Sequence, residues 1–184
     1  MIKFAKLPLA IFLDYLAMLF KQNLFIKEAL EQAKIAFAKG EVPVGCVIAK
    51  DDKIISRAHN QNIALQDSTA HAEILAIKQA NQILQSHRLD GCDLYVSLEP
   101  CVMCAGAISL ARINRLYYAA SDAKSGGIEN GAKVFTHKQC HHKTKIYSGI
   151  NEVEAQNLMK EFFLQTRQAK NNKLKKLIIN DYNV

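Results

Sequence analysis

The 184-residue sequence has few residues that break or bend a chain: three prolines, eight glycines and no low-complexity tract. So little proline and glycine excludes a collagen-like chain and leaves no room for long flexible linkers. Acidic residues are also scarce, with 17 Asp and Glu against 24 Lys and Arg, which gives a formal net charge of +7. Such a charge is typical either of a soluble basic surface or of a protein that binds a polyanion such as a nucleic acid.

Cysteines are too few and too unevenly spaced for a disulfide framework. The sequence has five, an odd number, and only Cys101 and Cys104 form a tight pair. We therefore predict free thiols, a reducing compartment and a cytoplasmic location, with the tight pair as a candidate metal site.

The N-terminal residues 1–23 contain no uninterrupted run of about 20 apolar residues, so they do not predict a membrane-spanning helix. Lys3 and Lys6 precede an apolar stretch, as in a signal peptide, but Asp14 interrupts it and no small-residue cleavage site follows. We predict no membrane association. The status of this extension stays open, with Met18 as an alternative start of translation.

Apolar periodicity predicts one α/β domain over residues 24–167, followed by a basic helix end and tail over 168–184. The predicted order is helix, β-hairpin, helix, strand, helix, strand, loop, strand, helix, an arrangement that places parallel strands in one sheet with helices on its faces. The helices are predicted at about 26–37, 70–85, 100–111 and from 155 onward, with Ser68 and Thr69 as N-cap of the second. The strands are predicted at 44–49, 53–58, 94–98, 116–119 and 145–148.

Two motifs carry chemically useful side chains, and each begins a predicted helix. The first is Thr69-Ala70-His71-Ala72-Glu73, and the second is Glu99-Pro100-Cys101-Val102-Met103-Cys104. In the second motif, the i, i+3 spacing of Cys101 and Cys104 places both sulfurs on one helix face. A position near a helix start lowers the pKa of a thiol and favours the thiolate that binds a metal. The first motif supplies His71, and together the three residues are a ligand set suited to zinc.

Glu73 adds a group that a structural zinc site does not need. Two residues after His71, its carboxylate lies within reach of a water molecule activated by zinc, whose protons it could take and deliver. A capping-box role at the helix start is the alternative interpretation. The combination of H-x-E with P-C-x-x-C is the signature of zinc-dependent base deaminases.

From Phe25 to Arg167 the chain resembles the bacterial tRNA adenosine deaminases of the cytidine-deaminase superfamily. The resemblance rests on four segments: Glu41-Val42-Pro43-Val44-Gly45, Thr69-Ala70-His71-Ala72-Glu73, Leu98-Glu99-Pro100-Cys101-Val102-Met103-Cys104 and Asp122-Ala123-Lys124-Ser125-Gly126. Asn60 and the pair Phe162-Phe163 also match. The resemblance implies a three-layer α/β/α fold with a five-stranded mixed sheet, a homodimer and one Zn²⁺ per subunit.

The same resemblance implies a role for each site residue. His71, Cys101 and Cys104 would hold zinc, and Glu73 would shuttle protons. The residues implied to contact the substrate are Val44, Asn60, Asp122, Lys124, Phe163 and Arg167. The implied reaction is hydrolysis of adenosine to inosine at the wobble position, 34, of the anticodon stem-loop of tRNA.

Three other functions are compatible with parts of the pattern. A zinc deaminase of a free base or nucleotide, such as cytosine, guanine or deoxycytidylate, shares the metal motif but does not require the basic C-terminal helix. A thiol oxidoreductase uses a C-x-x-C pair but explains neither His71 nor Glu73. An RNA-binding module with structural zinc needs a fourth protein ligand. The residues that could supply it are Cys46, Cys92, Cys140, His59, His137 and His141.

Overall fold

Four helices and five strands make up residues 9–181, the part of the chain described by the computed structural model. Residues 1–8, including Lys3 and Lys6, and residues 182–184 lie outside the description, as do several side chains near both ends. The helices are α1 (Leu9–Ala38), α2 (Ala72–Leu84), α3 (Val102–Leu110) and α4 (Glu152–Asp181). The strands are β1 (Gly45–Lys50), β2 (Lys53–His59), β3 (Asp93–Leu98), β4 (Arg115–Ala120) and β5 (Lys145–Ser148).

The strands form one mixed sheet in the order β2-β1-β3-β4-β5. Strand β1 pairs antiparallel with β2 and β3, whereas β3, β4 and β5 run parallel. Asp51 and Asp52 form the β1–β2 turn with positive φ angles of 49° and 61°, which suits a tight hairpin. The pairing register shifts between Ile48 and Ala49, so β2 carries a bulge. The predicted five-stranded α/β/α fold is confirmed.

Alternate residues of the central strands point into two separate cores, as the period of a strand requires. On one face, Ile48, Val96 and Tyr118 pack in the core that includes residues of α2 and α3. On the other face, Val47 and Tyr95 pack in the core that includes residues of α1. Burial of both faces explains why the central strands are almost uniformly apolar.

A row of aromatic rings crosses the α1 face of the sheet. Tyr95 stacks on Tyr117 with ring centroids 4.6 Å apart, and Tyr117 stacks on Tyr147 at 4.7 Å. Phe25 of α1 closes the row against Tyr95 at 5.0 Å. Gln22 donates a hydrogen bond of 3.1 Å to the Tyr117 hydroxyl, so the row also fixes α1 on the sheet.

All four helix starts differ from the sequence prediction, and α3 and α4 begin at Val102 and Glu152 rather than at 100 and 155. The first helix begins at Leu9 rather than near Ile26, because residues 9–38 contain no proline or glycine that would interrupt it. The second helix begins at Ala72, and its N-cap, His71, makes no side-chain capping bond. Thr69, predicted as part of the cap, bonds to Asp67 instead.

No helix within residues 9–181 combines the length and the hydropathy that crossing a membrane requires. Helix α1 runs through the boundary predicted at residue 23 without a break, and α4 runs through the one predicted at residue 167. The division of the chain at these two positions stays a prediction.

Gly45 allows the backbones of α1 and β1 to touch. A Cβ atom at this position would lie 2.1 Å from the carbonyl oxygen of Ala29 and 2.4 Å from the amide nitrogen of Ala33. We expect Gly45→Ala to lower the free energy of unfolding by about 3 kcal/mol, because the helix must move off the sheet. Urea denaturation followed by circular dichroism measures this change.

Gly106→Ala is the matched control, since a Cβ at Gly106 in α3 would meet nothing within 4 Å. We expect this variant to keep the wild-type stability or to gain slightly, because alanine favours a helix interior over glycine. Equal stability of the two variants would contradict the close α1–β1 contact.

Candidate active site

The functional side chains meet at one edge of the sheet. Strands β3 and β4 run parallel and end there, β1 begins there, and β2 ends there at His59. Helices α2 and α3 both start at this edge, so their N-termini point toward the same space. A crevice at the carboxyl ends of parallel strands is the usual ligand site of α/β sheets.

His71, Cys101 and Cys104 come together as predicted. His71 is the N-cap of α2 and Cys101 the N-cap of α3, while Cys104 lies in the first turn of α3. The Nδ1 atom of His71 lies 3.7 Å from Cys101 Sγ and 3.5 Å from Cys104 Sγ. The three ligand atoms lie within 4.8 Å of one another.

These distances fit a tetrahedral zinc ion. Zn–S bonds of about 2.3 Å and a Zn–N bond of about 2.0 Å, at a tetrahedral angle, place nitrogen and sulfur about 3.5 Å apart. The observed separations of 3.5 and 3.7 Å agree with this value. Nδ1 is the histidine nitrogen that faces both sulfurs, so it is the atom that would bind the ion.

The ligand group has three members, and no further His, Cys, Asp or Glu among the described residues completes it. None of the six residues considered as a fourth ligand belongs to the group. Three protein ligands are typical of a catalytic zinc site, which keeps one position open, whereas structural sites have four. The geometry therefore disfavours a purely structural zinc site.

Cys101 has the electrostatic environment of a metal ligand. Hydrogen bonds with Cys104 and His71 lower the pKa of its thiol to about 4. The start of α3 adds the partial positive charge of its free backbone N–H groups. The lowered pKa favours the thiolate form of Cys101, which is the form that binds zinc.

Glu73 lies beside the ligand group and is only 3% exposed. Burial raises the pKa of its carboxyl to about 7, so it can accept and donate a proton near neutral pH. Within the described structure its Oε2 atom has no hydrogen-bond partner. Because α2 starts at Ala72, Glu73 occupies the second helical position and forms no capping box. A buried carboxylate oxygen without a partner indicates a group that awaits a ligand.

A cleft of about 1410 Å³ opens above this group. All six residues that the resemblance implied for substrate contact line it, together with His71, Glu73 and Cys101. Cys104 is fully buried behind the wall. Phe163 of α4 is 42% exposed and contacts Phe162 edge-on, with ring centroids 5.5 Å apart.

Two of these residues also stabilise the site itself. The Oδ1 atom of Asn60 accepts a hydrogen bond of 2.8 Å from the Ala72 backbone N–H, and thereby caps α2 in place of a local side chain. The Oδ1 atom of Asp122 accepts 3.0 Å hydrogen bonds from the backbone N–H groups of Lys124 and Ser125, which closes a tight turn.

Sequence reasoning missed the role of two buried carboxylates, Glu41 and Glu99, that hold the loops on either side of the cleft. Glu41 Oε1 accepts hydrogen bonds from the N–H groups of Ile63 and Ala64, both at 2.9 Å. Glu99 fixes the opposite loop by accepting hydrogen bonds from four backbone N–H groups, those of Asp122, Ile128, Glu129 and Asn130. Both carboxylates lie in segments on which the family resemblance rests, but the N–H groups that they bind lie more than 20 residues away in sequence.

The charge of Glu99 depends on these hydrogen bonds. Burial by itself raises the pKa of its carboxyl, but the bonds donated by Asn130, Asp122 and Glu129 outweigh burial and lower the pKa to about 2. Glu99 is therefore ionised at neutral pH and accepts hydrogen bonds only.

Comparison with known proteins places this site in a family. The family described as "MafB19-like deaminase" matches residues 20–167. The tRNA-specific adenosine deaminase of Agrobacterium fabrum (strain C58) is 47% identical over 143 residues, which cover 78% of this chain and 94% of that protein. A structure solved in a study of A-to-I editing by tRNA:A34 deaminases is 48% identical with a TM-score of 0.72, and the match covers 73% of this chain and 97% of that one.

A structure of guanine deaminase from Bacillus subtilis is also similar, with 43% identity and a TM-score of 0.51. This match covers 53% of the present chain and 63% of that chain. The mixed sheet, the His-Cys-Cys group and the buried glutamate thus define a deaminase of the cytidine-deaminase type. More specifically, the chain belongs to the family of tRNA-specific adenosine deaminases.

The ligand assignment predicts the metal content of the purified protein. We expect Cys101→Ala to reduce bound zinc from about one ion per chain to a small fraction, because two ligands hold the ion far less tightly than three. Elemental analysis after purification in zinc-containing buffer measures the content.

Cys140→Ser is the matched control, because the Cys140 sulfur contacts Ser109 and lies outside the ligand group. This variant should keep the wild-type zinc content. Stoichiometric zinc in Cys101→Ala would show that the ion is held elsewhere.

Proposed function

We propose that the protein is a zinc-dependent hydrolase that converts adenosine to inosine at position 34 of the tRNA anticodon and releases ammonia. The observation that carries the proposal is 47% identity to a tRNA-specific adenosine deaminase over 94% of that protein's length, in a chain whose His-Cys-Cys group and buried Glu73 share one cleft.

The cleft suits a nucleotide within an RNA strand better than a free base. Its volume of about 1410 Å³ exceeds the roughly 300–1,000 Å³ of common small-molecule pockets. Three basic residues line it, Lys124, Lys160 and Arg167, and phosphates are their natural partners. Bases of an anticodon loop are unpaired, so moving one into the cleft costs little.

Each side chain has a task that its position supports. His71, Cys101 and Cys104 would hold Zn²⁺, which would act as a Lewis acid and lower the pKa of the attacking water. Glu73 would take a proton from the attacking water and deliver it to N1 of adenine. It would then take the proton of the hydroxyl now bonded to C6 and pass it to the amine as the C6–N bond breaks, so that adenosine and water yield inosine and ammonia.

The remaining lining residues would position the nucleotides. The Oδ1 atom of Asn60 is engaged with Ala72, so its Nδ2 group would donate to the target nucleoside. Val44 would pack against the base, and Phe163 offers a ring on which a neighbouring base could stack. Lys124 and Arg167 would contact phosphates, with Asp122 shaping the turn that carries Lys124.

We further propose a cytoplasmic homodimer. Helix α3 exposes Val102 and Leu110 by 51% and 82%, next to small residues that allow close packing. A second copy would cover these side chains. A reducing compartment agrees with the free state of all five cysteines.

A free-base deaminase is the second candidate, and similarity to the guanine deaminase of Bacillus subtilis favours it. The structural match covers 63% of that chain, against 97% of the chain solved in the study of tRNA:A34 deaminases. The wider coverage supports the tRNA substrate.

A substrate panel separates the two candidates. We expect the purified zinc enzyme to convert adenosine to inosine in an anticodon stem-loop with A34, and to leave free adenosine, guanine and cytosine unchanged. Inosine is scored as guanine after reverse transcription of the RNA. A stem-loop with the adenosine moved to position 35 is the control RNA. Faster turnover of guanine than of the stem-loop would contradict the proposal.

Glu73→Gln tests the proton-transfer role. The amide keeps the size of the side chain but cannot take up a proton, so we expect kcat to fall by about three orders of magnitude or more while zinc stays bound. Single-turnover deamination and elemental analysis of one preparation measure both quantities. The conservative change Glu73→Asp should recover part of the rate, and a Gln variant with wild-type kcat would exclude the assigned role.

A further inference from the structure

Helix α4 continues beyond the region that the deaminase family shares. The family match ends at residue 167, whereas the helix runs on to Asp181. At 1.5 Å per residue, these additional residues extend the helix by about 21 Å past Arg167. The start of this extension therefore lies at the mouth of the cleft, because Arg167 lines that cleft.

None of the side chains described in the extension, which end at residue 173, is buried. Every residue from 167 to 173 is exposed, which covers nearly two helical turns in all directions. Apart from Ala169, residues 167–173 are polar, so burial does not stabilise this part of the helix and either solvent or a ligand surrounds it.

Its charge is of one sign. Between Glu161 and Asp181 the sequence contains no acidic residue. Lys170 and Lys173 follow Arg167 at steps of three and are exposed, and none of these three takes part in an ion pair of the described structure. Lys175 and Lys176 follow in the sequence and add two more positive charges.

Arg167, Lys170 and Lys173 form a basic stripe along α4, and this stripe continues the basic lining of the cleft. Lys160 and Arg167 lie seven residues apart on α4 and both line the cleft, so they share one side of the helix. Residues 170 and 173 lie about 60° and 120° further round, which lets the stripe wind gradually away from the cleft. A strand whose target base occupies the cleft would bring its flanking phosphates to this stripe.

We propose that the exposed residues 168–173 of α4, with Lys175 and Lys176 following in the sequence, form a binding surface for the backbone phosphates of the RNA stem next to the anticodon loop. This inference rests on the proposed tRNA substrate. Lysine side chains on a projecting helix recognise charge and not base sequence, so the surface would strengthen binding without choosing the target nucleotide.

The test compares two RNAs. One is an anticodon stem-loop with its full stem, and the other has the same loop on a stem shortened to its two loop-proximal base pairs. The variant carries Lys-to-Gln changes that remove charge and preserve helix propensity. The changes are Lys170→Gln, Lys173→Gln, Lys175→Gln and Lys176→Gln. Kd is measured by fluorescence anisotropy with labelled RNA over a range of salt concentrations, and KM and kcat are measured on the same RNAs.

On the full stem we expect the variant to raise Kd and KM by about tenfold or more, and to reduce the slope of log Kd against log salt by about 0.7 to 0.9 per lost phosphate contact. On the shortened stem, wild type and variant should bind equally.

A control variant removes the same charge from exposed lysines that do not line the cleft. Its changes are Lys27→Gln, Lys53→Gln, Lys78→Gln and Lys138→Gln, and it should behave as wild type on both RNAs.

Equal Kd values of variant and wild type on the full stem would overturn the inference, and so would an equal loss on both RNAs or in the control variant. The binding measurement keeps this result separate from the proposed activity. If wild type forms no inosine in any RNA, the proposed function fails, while the difference in Kd between full and shortened stems still decides the role of α4.

Discussion

The chemistry of this protein depends on two helix N-termini that meet at one edge of the sheet. His71 and Cys101 are 30 residues apart in sequence, yet the ends of β2 and β3 bring them within 3.7 Å. Three ligand atoms already lie at zinc-binding distances within the folded chain.

Buried carboxylates hold this arrangement from both sides. Glu41 fixes the loop at residues 63 and 64, and Glu99 fixes the loop at residues 121–130, each through backbone N–H groups. Hydrogen bonds from several N–H groups compensate the cost of burying a charge. Glu73, also buried, has one oxygen without such a partner. The same residue type thus has two different environments in one cleft, set by the number of donors around it.

The fold and the ligand group were predictable because both depend on short patterns. Short apolar runs, the hairpin turn at Asp51-Asp52 and the alternation of Leu94, Val96 and Leu98 indicated the strands, and the spacing of Cys101 and Cys104 with His71 indicated the metal site. The cap of α2 was not predictable, since Asn60 lies 12 residues before Ala72, whose backbone N–H donates the capping hydrogen bond. The role of Glu99 was missed for the same reason, because its partners follow 22 to 31 residues later. Contacts that depend on tertiary folding leave no local signal in the sequence.

The two outer strands of the sheet have a consequence for how the molecule behaves in crowded solution. Strand β5 is only four residues long, and β2 carries a bulge together with exposed Lys53 and Arg57. Short, kinked or charged border strands present few unpaired backbone groups in register, so they resist growth into intermolecular β-aggregates. Neither border strand of the described sheet therefore offers a long, flat edge that a second chain could extend.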